Sequence, residues 1–252
     1  MSVILKTSEQ LKLMKEAGRI TGEALLKARD VIRPGISTWE IDRVIHDYIV
    51  KCGAKPSFLG YAGFPGSACI SLNSEVIHGI PSHRRILQEG DLVKVDVGAL
   101  YRGYNGDSAK TFAVGCVSAE AKKLMETTKA CFYRGVARAV AGNRIGDIGH
   151  AVAACAEEAG FSVVREYVGH GVGSHLHEEP DVPNYGTEGR GCRLYSGMTI
   201  AIEPMVNAGA AGVRVLPDGW TVLTIDGRLS AHYEHTVAIT DDGPVLLTDV
   251  GE

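Results

Sequence analysis

The chain has 252 residues, 45% hydrophobic and 22% charged, with a formal net charge of −4 and a pI near 6.1. Those values argue against wholesale disorder and provide no basic surface for nucleic acid or an anionic membrane. Six cysteines without one C-x-x-C pair exclude a zinc knuckle and a thioredoxin-like redox site; with no apolar run long enough for a bilayer and no export signal, cytoplasmic residence is expected.

Thr7-Ser8-Glu9-Gln10 reads as a capping box that opens a helix by residue 8. Met14, Ala17, Thr21, Ala24, Leu25, Ala28, Val31 and Ile32 keep helical spacing until Arg33-Pro34-Gly35 ends the pattern. A second box, Ser37-Thr38-Trp39-Glu40, opens a helix with Ile41, Val44, Ile45, Tyr48 and Ile49 on its buried face, closed by Gly53. Val93 to Val97 predicts a strand with three valines on one face and Lys94 and Asp96 on the other. Tyr104-Asn105-Gly106 reads as a turn delivering Asp107. Ser118 caps a third helix running to about Val140 and ended by Gly142; Asp147 starts a fourth, closed by Gly160. His170 sits in the glycine-rich stretch from Gly169 to Gly173. Glu203 shares one strand face with Thr199 and Ala201, and Glu234 shares another with Thr236 and Ala238.

Three of these features recur at one spacing. Gly35 and Gly142, Gly53 and Gly160, and the strands beginning at Val93 and Ile200 are each 107 residues apart. Three matches at one offset point to a duplicated half, and two copies are too few for a solenoid. No Ser/Gly-rich linker separates the copies, so one domain of two similar α+β lobes is expected, with paired strands and their acids side by side.

Asp96, Asp107, His170, Glu203 and Glu234 form the constellation that carries chemistry. Each acid alone is more readily a surface or cap residue, and a histidine among glycines a turn residue. Together, buried carboxylates repel one another unless paired or bound to metal, and two divalent cations are the natural remedy. An oxygen-rich set with one imidazole suits Mn, Fe or Co, with Zn possible. Two such ions can deprotonate a shared water near neutral pH.

In its motifs the sequence resembles the bacterial type I methionine aminopeptidases of the M24 metallopeptidases. The matching segments are Asn73 to Pro81, Asp91 to Gly98, Tyr104 to Thr111, Gly169 to Pro180, Gly197 to Asn207 and Leu229 to Val237, and the likeness covers nearly the whole chain. The resemblance implies an α+β pita-bread (creatinase/aminopeptidase) fold: two pseudo-two-fold-related halves packing helices on a curved antiparallel sheet. Residues 1–252 would form a single catalytic domain with halves of roughly 1–115 and 116–252. By the same resemblance His170 and Glu203 would hold one ion and Asp96 the other, with Asp107 and Glu234 bridging. Glu203 would double as the acid–base group. His78 would touch the scissile amide, and His177 would stabilise the carbonyl oxygen as it turns tetrahedral. Tyr61, Phe64, Cys69, His78 and Trp220 would surround the methionine side chain. Phe58 departs from the smaller Cys or Thr common in relatives, and should either narrow the pocket or rotate away. Ser174-His175-Leu176 also departs from the commoner pattern.

The implied reaction is hydrolysis of the Met–X bond at protein N-termini when X is small. The implied partners are nascent polypeptides after deformylation, with a transient ribosome contact, no nucleic acid, no membrane and a monomeric state. Three rival readings fit the sequence less well. Prolidases share the ligands but carry an additional N-terminal domain, for which a helix starting by residue 8 leaves no room. A non-catalytic module would have lost ligands, and all are present. A metal-free hydrolase using Cys69 lacks an activating context.

Overall fold

Both capping boxes form, and they set where the chain enters its first two helices. Thr7 and Gln10 exchange side-chain and backbone hydrogen bonds ahead of α1 (Ser8–Val31), and Ser37 and Glu40 do the same ahead of α2 (Thr38–Lys51). The face expected to be buried on α1 is buried from Met14 to Ala28, as are Ile41, Ile45 and Ile49 of α2. α3 (Ala119–Val136) is capped by Ser118, but it ends four residues before Val140, where the chain tightens into three-residue turns over 135–139. α4 (Ile145–Glu158) begins two residues before Asp147, whose carboxylate accepts from the Arg144 N–H at the helix entrance (2.7 Å). The computed structural model describes residues 3–251; residues 1, 2 and 252 of the expected 1–252 span lie outside it.

The strands fall into two groups. In the first half, β1 (Lys55–Pro56) and β2 (Ala68–Leu72) pair with β3 (Leu92–Tyr101), which also pairs with β4 (Tyr104–Ala113). The second half holds β5 (Ser162–Val163), β6 (Gly169–Gly171), β7 (Glu178–Val182), β8 (Thr199–Ile202) and β9 (Met205–Asn207). It continues with β10 (Val213–Val215), β11 (Val222–Thr224), β12 (Ser230–His232), β13 (His235–Thr240) and β14 (Gly243–Leu246). These build a five-stranded sheet ordered β14-β13-β8-β6-β7, a three-stranded sheet ordered β12-β9-β5 and the pair β10-β11.

Each half has its own apolar layer. Residues of α1 and α2 pack on Val93, Val95 and Val97 of β3. Residues of α3 and α4 pack on Ile200, Ile202, Val237 and Ile239 of β8 and β13. The 107-residue period is carried by the elements themselves. α2 and α4 are both 14 residues long and start at 38 and 145; β3 and β8 start at 92 and 199. Gly35, Gly53, Gly142 and Gly160 all have positive φ, the conformation that closes a helix or turn without a Cβ penalty.

The second face of β3 meets the other half and not solvent. Lys94 is only 2% exposed, and its ammonium donates to the carbonyls of Asn73 (2.7 Å) and Ser230 (3.1 Å). β4 is the seam. Ala109 and Glu234 exchange backbone bonds of 2.8 and 3.3 Å. Thr236 Oγ1 accepts from the Asp107 N–H (3.0 Å) and donates to its carbonyl (2.8 Å), while Thr111 Oγ1 clamps His232 in the same way (2.9 and 2.8 Å). Each half thus holds a peptide unit of the other. No helix among the described residues is long and apolar enough to cross a membrane.

Candidate metal centre

Asp96 and Asp107 arise from an unbroken antiparallel ladder. Asp96 lies opposite Ala109, and Asp107 opposite Gly98, so the two carboxylates are diagonal neighbours on one face. The expected turn at Tyr104–Gly106 is corrected. The hairpin turns at Arg102-Gly103, both at positive φ (+48° and +86°), with Tyr101 paired to Tyr104, so Asp107 sits well inside β4. A two-residue hairpin needs left-handed residues at its tip, and Gly103 meets that need at once. Asn105 is left to donate its side-chain amide to the Gly173 carbonyl (3.0 Å).

Glu203 and Glu234 arise from a gap and not from within strands as the periodicity suggested. β8 ends with Ile202 opposite His235, and β9 begins with Met205 opposite His232. Glu203-Pro204 therefore faces Tyr233-Glu234 across an interrupted ladder, where Pro204 has no N–H to give. Partners from elsewhere hold the gap: Asn184 donates to the Glu203 carbonyl (3.0 Å) and Ser108 Oγ to the Glu234 carbonyl (2.6 Å).

His170 is brought in by β6, between two glycines that let the strand sit against its neighbours. A Cβ on Gly169 or Gly171 would collide with the carbonyl oxygen of Ala201 or Glu179. His170 Nδ1 is 2.8 Å from the Gly171 carbonyl, which can only accept. The ring hydrogen therefore sits on Nδ1, and the Nε2 lone pair faces Asp107 Oδ2 at 3.7 Å and Glu203 Oε1 at 3.6 Å.

The electrostatics are those of a site built for cations. Burial first, and then the neighbouring acids, push Asp96, Glu203 and Glu234 well above the ordinary carboxylate range; burial lifts Asp107 to about 7. Burial lowers His170 to about 3, so its imidazole is neutral and available as a donor atom. Asp96 Oδ1, Asp107 Oδ1 and Glu234 Oε1 are buried with no hydrogen-bond partner. Ligand atoms of Asp107, His170 and Glu234 lie within 4.8 Å of one another, as do those of Asp96, His232 and Glu234. Orphaned oxygens, a lone pair aimed among them and the close spacing fit divalent metal.

A cavity of about 260 Å³ opens over these groups and is lined by all twelve residues singled out from the sequence. Phe58, Phe64, Cys69 and Leu176 form its apolar wall with Trp220, whose ring meets Phe64 edge-on at 5.1 Å. Phe58 does not rotate away: it is buried against this wall. His78 sits at φ +59°, a conformation unusual for a side-chain-bearing residue and of the kind found at functional sites. Burial lowers it to about 4. His177 lies at the mouth, its Nδ1 2.7 Å from the Tyr61 hydroxyl and its ring 4.0 Å from that of His170. Cys69 is unsuited to nucleophilic attack, because burial, helped by Asp96, pushes its thiol well up and keeps it protonated.

Sequence reasoning missed several residues. Leu176, in a loop without an assigned role, turns out to wall the cavity, and Ile77, Tyr167 and Val168 also line it. His232 was passed over inside a recognised segment. It is fully buried, 3.8 Å from both Glu203 and Glu234. Its position two residues before Glu234, in a stretch of alternating faces, was the available signal.

The profile of metallopeptidase family M24 matches residues 12–241. The chain is 52% identical to the methionine aminopeptidase of Clostridium acetobutylicum over 246 residues, 98% of each chain. The crystal structure of methionine aminopeptidase from Thermotoga maritima is similar with a TM-score of 0.97 and 43% identity, over 98% of this chain and 100% of that one. The prolidase from Pyrococcus furiosus is similar with a TM-score of 0.76 and 25% identity, over 99% of this chain but 66% of its own.

Proposed function

Because the chain belongs to metallopeptidase family M24 and is a methionine aminopeptidase that removes N-terminal methionine, we propose that Asp96, Asp107, His170, Glu203 and Glu234 are its metal ligands, and that Glu203, His78 and His177 handle proton and charge during cleavage. Asp107 and Glu234 would be shared between two divalent ions (Co, Mn, Fe or Zn), with His170 and Glu203 on one and Asp96 on the other. When bound, the ions supply Lewis acidity and a hydroxide nucleophile near neutral pH. The observation that carries this reading is three partnerless buried carboxylate oxygens, Asp96 Oδ1, Asp107 Oδ1 and Glu234 Oε1, together with a His170 lone pair that faces Asp107 Oδ2 and Glu203 Oε1.

The residues then divide the work. Glu203 takes the proton released by the attacking water and returns it to the leaving amine. His78, uncharged at neutral pH, donates a hydrogen bond to the scissile amide. Tyr61 donates to His177 Nδ1, which leaves the Nε2–H of His177 to meet the carbonyl oxygen as negative charge develops. Phe58, Phe64, Cys69 and Trp220, with Tyr61 and His78, receive the methionine side chain, whose flexible, polarizable thioether suits aromatic and sulfur walls. A small second residue is required on steric grounds. The enzyme works as a cytoplasmic monomer of one domain, 1–252 with halves of roughly 1–115 and 116–252, on nascent chains with at most transient contact to the ribosome.

The test is metal-depleted enzyme titrated separately with Mn, Fe, Co and Zn while methionine release from Met-Ala-Ser is followed. Activity returning with at least one metal, together with no cleavage of Ala-Pro-type peptides, is the expected result. Activity that survives a chelator but not iodoacetamide, or a preference for Xaa-Pro bonds, would overturn the reading.

A further inference from the structure

Glu203 lies between two imidazoles. Its Oε1 is 3.6 Å from His170 Nε2, and its Oε2 is 3.8 Å from His232 Nε2. The same His232 nitrogen is 3.8 Å from Glu234 Oε2. His232 is 1% exposed, and neither ring nitrogen has a hydrogen-bond partner. Its backbone is pinned on both sides, by Thr111 and by pairing with Met205 on β9, so the ring is delivered to this place by rigid elements. It does not line the substrate cavity.

The two rings differ at the far nitrogen. His170 Nδ1 gives its hydrogen to a carbonyl, which frees Nε2 as a lone pair. His232 Nδ1 has no acceptor. A hydrogen placed there would leave a buried N–H orphaned, the rarer and costlier kind of unpaired group. With the hydrogen on Nε2 the N–H faces two carboxylate oxygens at 3.8 Å, an electrostatically favourable place that Nδ1 does not offer. We propose that His232 is a positioning residue whose Nε2–H faces Glu203 Oε2 and Glu234 Oε2 at 3.8 Å, an electrostatic contact just beyond hydrogen-bond length, and not a further metal ligand. That attraction, in a buried site, favours the Glu203 orientation with Oε1 toward His170 and Oε2 toward His232, so that the acid–base group does not rotate between turnovers. This rests on the role given above to Glu203.

The test compares native protein with H232Q, H232N and H232L, each loaded with Co(II). Gln offers an amide donor at similar reach and is a poor ligand; Asn is one methylene short; Leu has no donor. The readouts are kcat and KM on Met-Ala-Ser, the visible absorption of bound Co(II), and Co(II) affinity by calorimetry. We expect H232L and H232N to lose about 10–100-fold in kcat, with KM and the absorption bands little changed, and H232Q to stay within about threefold of native. If H232L does not fold, the Gln and Asn pair decides the matter alone. H232Q as slow as H232N, with shifted Co(II) bands in both, would make His232 a ligand and overturn the proposal. Native kcat in all variants would overturn it as well. Failure of the Glu203 role itself shows separately, as near-native turnover in E203A.

Discussion

The two halves of the molecule each contribute a pair of acids, and they place them by different means. In the first half Asp96 and Asp107 stand in a continuous ladder, where strand parity and register aim the side chains. In the second half Glu203 and Glu234 stand in a two-residue gap, aimed by Asn184, Ser108 and Ala109 from other elements. The shorter carboxylates come from the ladder and the longer ones from the gap. The scaffold thus repeats at 107 residues while the local construction of the site does not. The ladder pair is backed by its own strands, while in the gap pair Glu234 depends on contacts across the seam and Glu203 on Asn184 of its own half.

The sharpest way to separate the two pairs is to remove one acid from each. Glu203→Ala should cut methionine release by about 10²–10⁴-fold, with an unchanged circular dichroism spectrum, since it removes the side chain proposed as both ligand and proton carrier. Asp96→Asn should weaken the binding of one ion, seen by calorimetry, and leave turnover to be restored by excess metal. Equal and irreversible losses in both variants would erase the distinction.

Acidity gives the next effect. In the metal-free site burial lifts Asp107 to about 7, and burial with the neighbouring acids holds the other three well above their ordinary range. Metal must displace the protons they carry, so affinity should rise as pH is raised through 7 and fall as pH is lowered, by about tenfold per pH unit for each proton released. Calorimetry in buffers of different ionisation enthalpy counts the protons. Asp107→Asn should release fewer, and an unchanged count would show that the ladder acid is already ionised.

Smaller differences should follow at the glycines and threonines that support each pair. Gly171→Ala drives a Cβ into the Glu179 backbone and should destabilise the fold by about 1–3 kcal/mol in thermal unfolding while misplacing His170. Gly98→Ala, in the ladder, meets the side chains of Phe58 and Ser57 and should cost less. Thr111→Val and Thr236→Val should each lower stability by about 1–2 kcal/mol. Thr111→Val should perturb metal affinity more, because Asp107 keeps the β3 ladder when Thr236 is lost. The reverse order would place the dependence in the first half.

Much of this was legible from residues that act locally. The capping boxes at Thr7 and Ser37 need only a hydroxyl and an acid or amide three residues apart, and both formed as read. The five expected ligands line one cavity, as the motifs that carry them implied. Asp107 shows where local reading stops. Tyr104-Asn105-Gly106 has turn-forming residues, yet the pairing of β3 with β4 claimed them and moved the turn to Arg102-Gly103. Alternation likewise placed Glu203 and Glu234 on strand faces but could not register the ladder break between their strands.

The sequence by itself determined the helices, the repeat, the acid-rich chemistry and the membership in a family of metal-dependent aminopeptidases. These depend on residue type and on spacing within one element or one motif. Tertiary structure alone decided that Glu234 is held from across the seam, that Lys94 is buried against the carbonyls of Asn73 and Ser230, that Leu176 walls the cavity, and that His232 faces Glu203. Each of those is a contact between segments far apart in the chain, and such a contact exists only once the two halves close on each other and exclude water from between them.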